Sequence, residues 1–225
     1  MAVLIHGGFW RARYDLRLED GLVADLTRRG WAAWNLEFRR LGWRSRGGWP
    51  ATFEDVAAGI DVLGRLDESL DLARVVGIGH SAGGQLVLWA AARRGLPAGA
   101  PGAEPRIRLA GTVSQAGVLD LREAVRLGLS RHAAQSLLGG TPIKWPARYD
   151  LASPIERLPL GVPQLVVHGD ADDVVPISIA RAYAERAAAG GDPCELTELP
   201  GCGHMEHLDP DSDAWRTVTA WLERQ

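Results

Sequence analysis

Ser81 stands in Gly79-His80-Ser81-Ala82-Gly83, with a glycine two residues away on either side. A strand-like run (residues 74–78) leads into this pentapeptide, and an alanine- and leucine-rich run leads out of it. A serine placed where strand becomes helix occupies a sharp turn, with its hydroxyl at the positive end of the helix dipole. Such a hydroxyl can attack a carbonyl carbon if a neighbouring base takes its proton. In a chain with 27 glycines the pentapeptide also arises by chance. A serine that merely caps a helix would look the same locally. The rest of the sequence has to supply the base.

Six histidines compete for that role: His6, His80, His132, His168, His204 and His207. His80 lies inside the turn, His168 ends a strand-like run as a packed residue, and His132 falls in a helical insertion. His204, in "ELPGCGHMEHLDP", follows the last strand in a glycine-rich loop and precedes the final helix. That position is at the carboxyl edge of the sheet, where Ser81 also sits, so His204 is preferred over its rival His207. An acid is needed to fix the tautomer of the base and stabilise its imidazolium. "QLVVHGDADDVVP" offers Asp170, Asp172 and Asp173 after the preceding strand, and position does not choose among them. The order serine, aspartate, histidine is that of an α/β-hydrolase nucleophile elbow and its partners. The stabilising amides for an oxyanion are expected from Gly8 or Phe9, in "VLIHGGFWR", together with the N–H of Ala82. The G-x-G-x-x-G spacing of a dinucleotide site is absent there. His6 is expected to hold this loop by hydrogen bonds.

The elements that must position these groups alternate along the chain. Strands are expected over residues 2–6, 32–38, 74–78, 109–114, 164–168 and 195–199, several as near-continuous apolar runs suited to a parallel sheet covered on both faces. Helical faces recur between them: Leu18, Leu22, Val23 and Leu26 before Gly30; Phe53, Val56, Ala57, Ile60 and Leu63; Ile179, Ala180, Tyr183, Ala184 and Ala187 before Gly190; Trp215, Val218 and Leu222. Thr52 with Asp55 three residues later resembles a capping box. The alternation implies a single α/β domain over residues 1–225: a mostly parallel twisted sheet with helices on both faces and a small cap-like insertion at about 118–162. Such sheets bind ligands outside the carboxyl ends of their strands.

The bulk numbers exclude several classes of function. Net charge is −3, 24% of residues are charged, and no basic block stands apart from acids, so neither nucleic acid nor an anionic membrane is an expected partner. Apolar stretches fall short of the ~20 residues of a membrane span. The start, "MAVLIHGG", has no basic leader region, and a cytoplasmic location is expected. Cys194 and Cys202 are expected to be free thiols, and neither metal nor organic cofactor is implied.

Taken together, "HGGFW", "GHSAGG", "HGDADDVVP" and "GCGHME" resemble the esterase/lipase branch of the α/β-hydrolases, closest to bacterial HGG-bearing carboxylesterases and related arylformamidases (kynurenine formamidases). The resemblance runs from about residue 2 to 222. It implies the α/β-hydrolase fold, and it implies Asp172 as the acid, because the family's G-x-x-D-x-x-V-P maps onto residues 169–176. The implied activity is hydrolysis of short-chain or aryl carboxylic esters through an acyl-enzyme on Ser81. Amide hydrolysis by the same triad and a non-catalytic binding protein are the alternatives. Two features depart from the family: no antiparallel strands precede the HGG strand, and Phe9 replaces a third glycine. The first leaves an edge strand whose pairing would give lower stability or a homodimer; the second favours the formamidase side and a narrower pocket. Of nine tryptophans, Trp10, Trp43, Trp49 and Trp145 fall in loops or the insertion, with Trp10 and Trp145 the expected substrate contacts. Trp31, Trp34, Trp89, Trp215 and Trp221 are expected to pack in the core.

Overall fold

A computed structural model describes residues 1–42, 44, 46–66 and 70–225. Six strands form one sheet: β1 (Ala2–Ile5), β2 (Ala33–Leu36), β3 (Val76–His80), β4 (Gly111–Gln115), β5 (Gln164–Gly169) and β6 (Cys194–Leu199). Their order is β2-β1-β3-β4-β5-β6, and every described pairing is parallel. All six coincide with the runs expected from sequence to within two residues at each end. β1 and β3 are buried along their whole length, which explains why they read as continuous apolar runs.

Period-2 alternation sorts β1 between two cores. Val3 and Ile5 face one core with Phe53, Val56, Leu86 and Trp89; Ala2 and Leu4 face the other with Leu22, Leu26, Trp215 and Trp221. The first core is built on α2 (Ala51–Asp61), α3 (Ala82–Ala92) and α7 (Ser178–Ala189), and the second on α1 (Asp20–Arg28) and α8 (Asp213–Leu222). Between β4 and β5 lie three short helices, α4 (Leu121–Arg126), α5 (Leu129–Leu138) and α6 (Pro146–Ala152). α5 opens on a left-handed turn at Ser130, Arg131 and His132, and the Arg11 guanidinium holds the Ser130 carbonyl at 2.6 Å. No helix among the described residues is long and apolar enough to cross a membrane.

The chain moves outward from β1 to β2 in one direction and from β3 to β6 in the other. The direction reverses between β1 and β3, where an open parallel sheet forms its crevice. The loops after these two strands carry Gly7–Trp10 and Ser81.

Two sequence expectations are corrected here. Thr52 and Asp55 do not form a capping box, because α2 starts one residue earlier, behind Pro50. Thr52 instead donates to Arg39 O at 2.5 Å and accepts from Gly48 N–H, while Asp55 takes the backbone N–H and guanidinium of Arg39. The pair fastens the segment after β2 to the helix. Trp10, expected in a substrate pocket, has no accessible surface and donates its indole N–H to Gln85 Oε1 at 3.1 Å. Burying the ring would otherwise leave its polar edge without an acceptor, and Gln85 supplies one. Trp215 is satisfied in the same way by Asp25 at 2.7 Å. Cys194 and Cys202 are unbonded to each other, as expected.

Glu19, at the start of α1, is fully buried with neither carboxylate oxygen hydrogen-bonded. Burial pushes its pKa up to about 8. An unfolded glutamate titrates near 4.3, so from about pH 4.3 to about pH 8 the folded state holds a proton that the unfolded state lacks, and stability falls as pH rises through that window. Glu19→Gln, which cannot ionise, should match the wild type at and below about pH 4. It should exceed it near pH 9 by on the order of a few kcal/mol in denaturant unfolding. Parallel pH profiles for the two proteins would contradict this.

Candidate active site

The turn after β3 is shaped by close backbone contact. Ser81 has φ +55° and ψ −116°, outside the regions a non-glycine residue ordinarily occupies. Its N–H donates to Gln115 O at 2.8 Å, and its carbonyl accepts from Val118 N–H, so the strained residue is held on both sides. The flanking glycines exist because nothing larger fits. A Cβ on Gly83 would lie 1.8 Å from Ile5 O, and one on Gly79 would lie 2.2 Å from Gly83 O. This approach lets α3 begin at Ala82, directly behind the serine, so the helix N-terminus points at the hydroxyl. Ser81 Oγ has no hydrogen-bond partner.

After β1 the chain runs Gly8, Phe9, Trp10 with φ of +103°, +49° and +57°. The resulting turn is closed by Arg11 N–H to Gly8 O at 3.0 Å. Gly8 is required because a Cβ there would sit 2.5 Å from the Tyr14 ring. Two devices hold this strained loop. Trp10 is anchored through Gln85, whose amide also donates to Ala152 O at 2.8 Å, tying the loop, α3 and the insertion together. His6 stacks on Phe38 with 4.4 Å between ring centroids and places Nε2 2.9 Å from Glu37 Oε1. Glu37 also accepts from Phe38 N–H and sits 3.3 Å from the Arg40 side chain. Burial opposes the charge on Glu37, but the contacts from His6, Phe38 and Arg40 together hold its carboxyl below the usual range. His6 is therefore the structural clamp that the sequence suggested.

Of the three aspartates after β5, Asp172 is the one that reaches His204, with Oδ2 2.8 Å from Nδ1. Its side chain has no accessible surface. Burial favours the neutral acid, yet hydrogen bonds from His168, His204 and the Val175 N–H outweigh it and hold Asp172 far below the ordinary carboxylate range. Asp170 instead accepts from Gly201 N–H in an exposed turn, and Asp173 is exposed. His204 is nearly buried; its carbonyl lies 2.9 Å from His80 Nε2, and the two imidazoles are 4.7 Å apart. With Nδ1 committed to Asp172, Nε2 is the ring nitrogen left for proton transfer. His207, the rival base, is buried with its carbonyl fixed by Gln115 and its ring near Cys202. Burial lowers the pKa of both His80 and His207 to about 3, so neither is charged near neutral pH.

Ser81 and His204 open onto one pocket of about 150 Å³. Gly8, Phe9, Tyr14, Leu18, His80, Val174 and Met205 complete its lining. Tyr14, Val174 and Met205 were not singled out in the sequence, since loop residues of this kind carry no signal of their own, and Leu18 was read there only as part of a helical face. Trp145, the second expected substrate contact, is not in this wall: it donates to Gly139 O and stacks under Arg148 at 3.8 Å within the insertion. Trp49 packs on Phe53, and Trp43 lies outside the described residues. Among the described residues no group of three or more His, Cys, Asp or Glu is arranged to hold a metal ion.

The elbow geometry is testable without a substrate. Gly83→Ala drives a methyl into the Ile5 carbonyl and should cost at least about 3 kcal/mol in unfolding free energy, or prevent folding. Gly30→Ala, at φ +85° with open space around it, should cost only about 1 kcal/mol. Equal losses would show that the close approach is not what excludes a side chain.

The BD-FAE family model matches residues 1–186. No curated protein sequence matches the chain. Among solved structures, a truncated carbohydrate esterase from gut microbiota aligns at 22% identity over 99% of this chain and 84% of its own, with a TM-score of 0.79. A thermophilic esterase from Thermogutta terrifontis in its propionate-bound form aligns at 23% over 99% and 80%, TM-score 0.76. An acetyl ester-xyloside bifunctional hydrolase from Caldicellulosiruptor lactoaceticus aligns at 21% over 99% and 80%, TM-score 0.79. At these identities the structures attest the fold, and the family model attests the family. The chain belongs to the BD-FAE family and has the α/β-hydrolase fold.

Proposed function

We propose that the protein hydrolyses carboxylic esters of short acyl groups through an acyl-enzyme on Ser81. The observation that carries this reading is the convergence, on one small pocket, of a strained serine at a helix N-terminus and a histidine whose Nδ1 is tied to a buried carboxylate. In this reading His204 Nε2 takes the hydroxyl proton as Ser81 Oγ attacks the ester carbonyl. The oxyanion is received by the Ala82 N–H and an amide from Gly8 or Phe9. His204 then returns the proton to the departing alcohol oxygen, and the same imidazole activates a water that releases the acid. Asp172 stabilises the imidazolium in both halves while remaining ionised itself.

Pocket size supports a short acyl group. About 150 Å³ is well below the ~300–1,000 Å³ of sites that enclose drug-sized ligands. The similar structures include an acetyl ester-xyloside bifunctional hydrolase and an esterase bound to propionate or butyrate, which supports the same reading.

The test is an acyl-chain series of p-nitrophenyl esters with the wild type and Ser81→Ala, with N-formylkynurenine as the amide arm. kcat/KM should be highest for acetate to butyrate and fall steeply by octanoate. Ser81→Ala should lower kcat by about 10⁴-fold or more, and Asp172→Asn by a comparable factor. Retention of activity in Ser81→Ala, or a preference for long chains, would refute the reading. Faster turnover of the formamide than of any ester would move the substrate to the amide class while leaving the triad in place.

A further inference from the structure

Asp172 has more donors than holding His204 requires. Its Oδ1 accepts the N–H groups of Val174 and Val175 at 2.8 and 2.9 Å. Its Oδ2 accepts His204 Nδ1 at 2.8 Å and lies 3.1 Å from His168 Nε2. His168 sits near the end of β5, four residues before Asp172, and has no accessible surface. Its Nε2 also lies 2.8 Å from Val175 O. Both neighbours of Nε2 are acceptors, so that nitrogen carries the hydrogen and shares it between them. Nδ1 is buried without a partner, as a bare lone pair is in that tautomer.

We propose that His168 is a positioning residue of the reaction, its Nε2–H fixing Oδ2 of Asp172 at the point where His204 Nδ1–H meets it. The inference rests on the acyl-enzyme reading above. The two amides on Oδ1 pin one end of the carboxylate and leave the other free to swing about that end. His168 removes that freedom, because it is rooted in the sheet rather than in the loop. Its bond to Val175 O locks its own ring to the same turn that supplies the amides. The aim of His204 toward Ser81 is thereby set from β5, and a base loop with glycines at 201 and 203 need not be rigid by itself. Outer groups that orient a reacting residue matter because small misplacements of that residue cost rate.

Three full-length variants test this. In His168→Gln the side-chain amide reaches the former Nε2 position. In His168→Asn it reaches only the Nδ1 position, and His168→Leu has no donor. kcat and KM on p-nitrophenyl acetate, melting temperature, and the rate of Ser81 labelling by a fluorophosphonate are measured for each. His168→Asn and His168→Leu should lose about ten- to a hundredfold in kcat with KM changed by no more than about twofold, and should label more slowly by the same factor. His168→Gln should recover most of both. The proposal is overturned if the folded Asn and Leu variants keep wild-type kcat, or if Gln recovers no more than Asn. Should His168→Leu fail to fold, the Gln and Asn pair decides alone. A wild type that the fluorophosphonate never labels overturns the acyl-enzyme reading itself, and the proposal with it.

Discussion

The approach of α3 to the backbone of β1 is the constraint on which the rest of the site depends. With Gly83 against the Ile5 carbonyl, the helix can start one residue after β3 instead of after an ordinary loop. The cost is a serine in a disfavoured backbone conformation, and the neighbouring structure has to over-determine it. Gln115, Val118 and Gln85 do so through backbone hydrogen bonds from three directions. The return is a hydroxyl set at the N-terminus of α3 in the lining of the pocket, with Oγ itself buried. Its location at the reversal between β1 and β3 follows, since there the connections diverge and leave a crevice.

Around that hydroxyl, electrostatics separates groups of the same type into different roles. Four histidines, His80, His168, His204 and His207, lie between the ends of β3 and β5 and the base loop, yet burial keeps His80 and His207 neutral near pH 7, and His168 spends its hydrogen on two oxygens. Only His204 combines a buried carboxylate on Nδ1 with a place in the pocket wall. The carboxylates divide similarly. Asp172 is buried but carries four donors, so its charge persists, whereas Glu19 is buried with none, and its charge is suppressed. Burial alone therefore predicts neither state; the count of donors does.

The tryptophans show where reasoning from sequence overreached. Trp10 follows the glycine pair of the first loop, and on loop position alone it belonged in the pocket. The turn at Gly8 and Phe9 rotates the next residue inward, so Phe9 lines the pocket while Trp10 enters the core as the anchor of the loop. Trp145 was likewise assigned to substrate from its place in the insertion, but Arg148 and Gly139 use it within that insertion. Thr52 and Asp55 carried a cap signature that tertiary contacts with Arg39 diverted. In each case the residue type was informative and the direction of its side chain was not.

The sequence by itself determined the strand and helix alternation, the glycines that permit the elbow, and the order of the candidate serine, acid and base along the chain. Those signals are local: periodicity, a five-residue motif, and position after a strand. Asp172 against its two neighbours was separable only by resemblance to a family until the fold brought His204 within 2.8 Å of one carboxylate. The tertiary structure alone decided the pocket wall of Tyr14, Leu18, Val174 and Met205, the inward turn of Trp10, and the bond from His168 to Asp172. These depend on which strands lie side by side and on how far each turn rotates its residues, and both are set by packing between segments far apart in the chain.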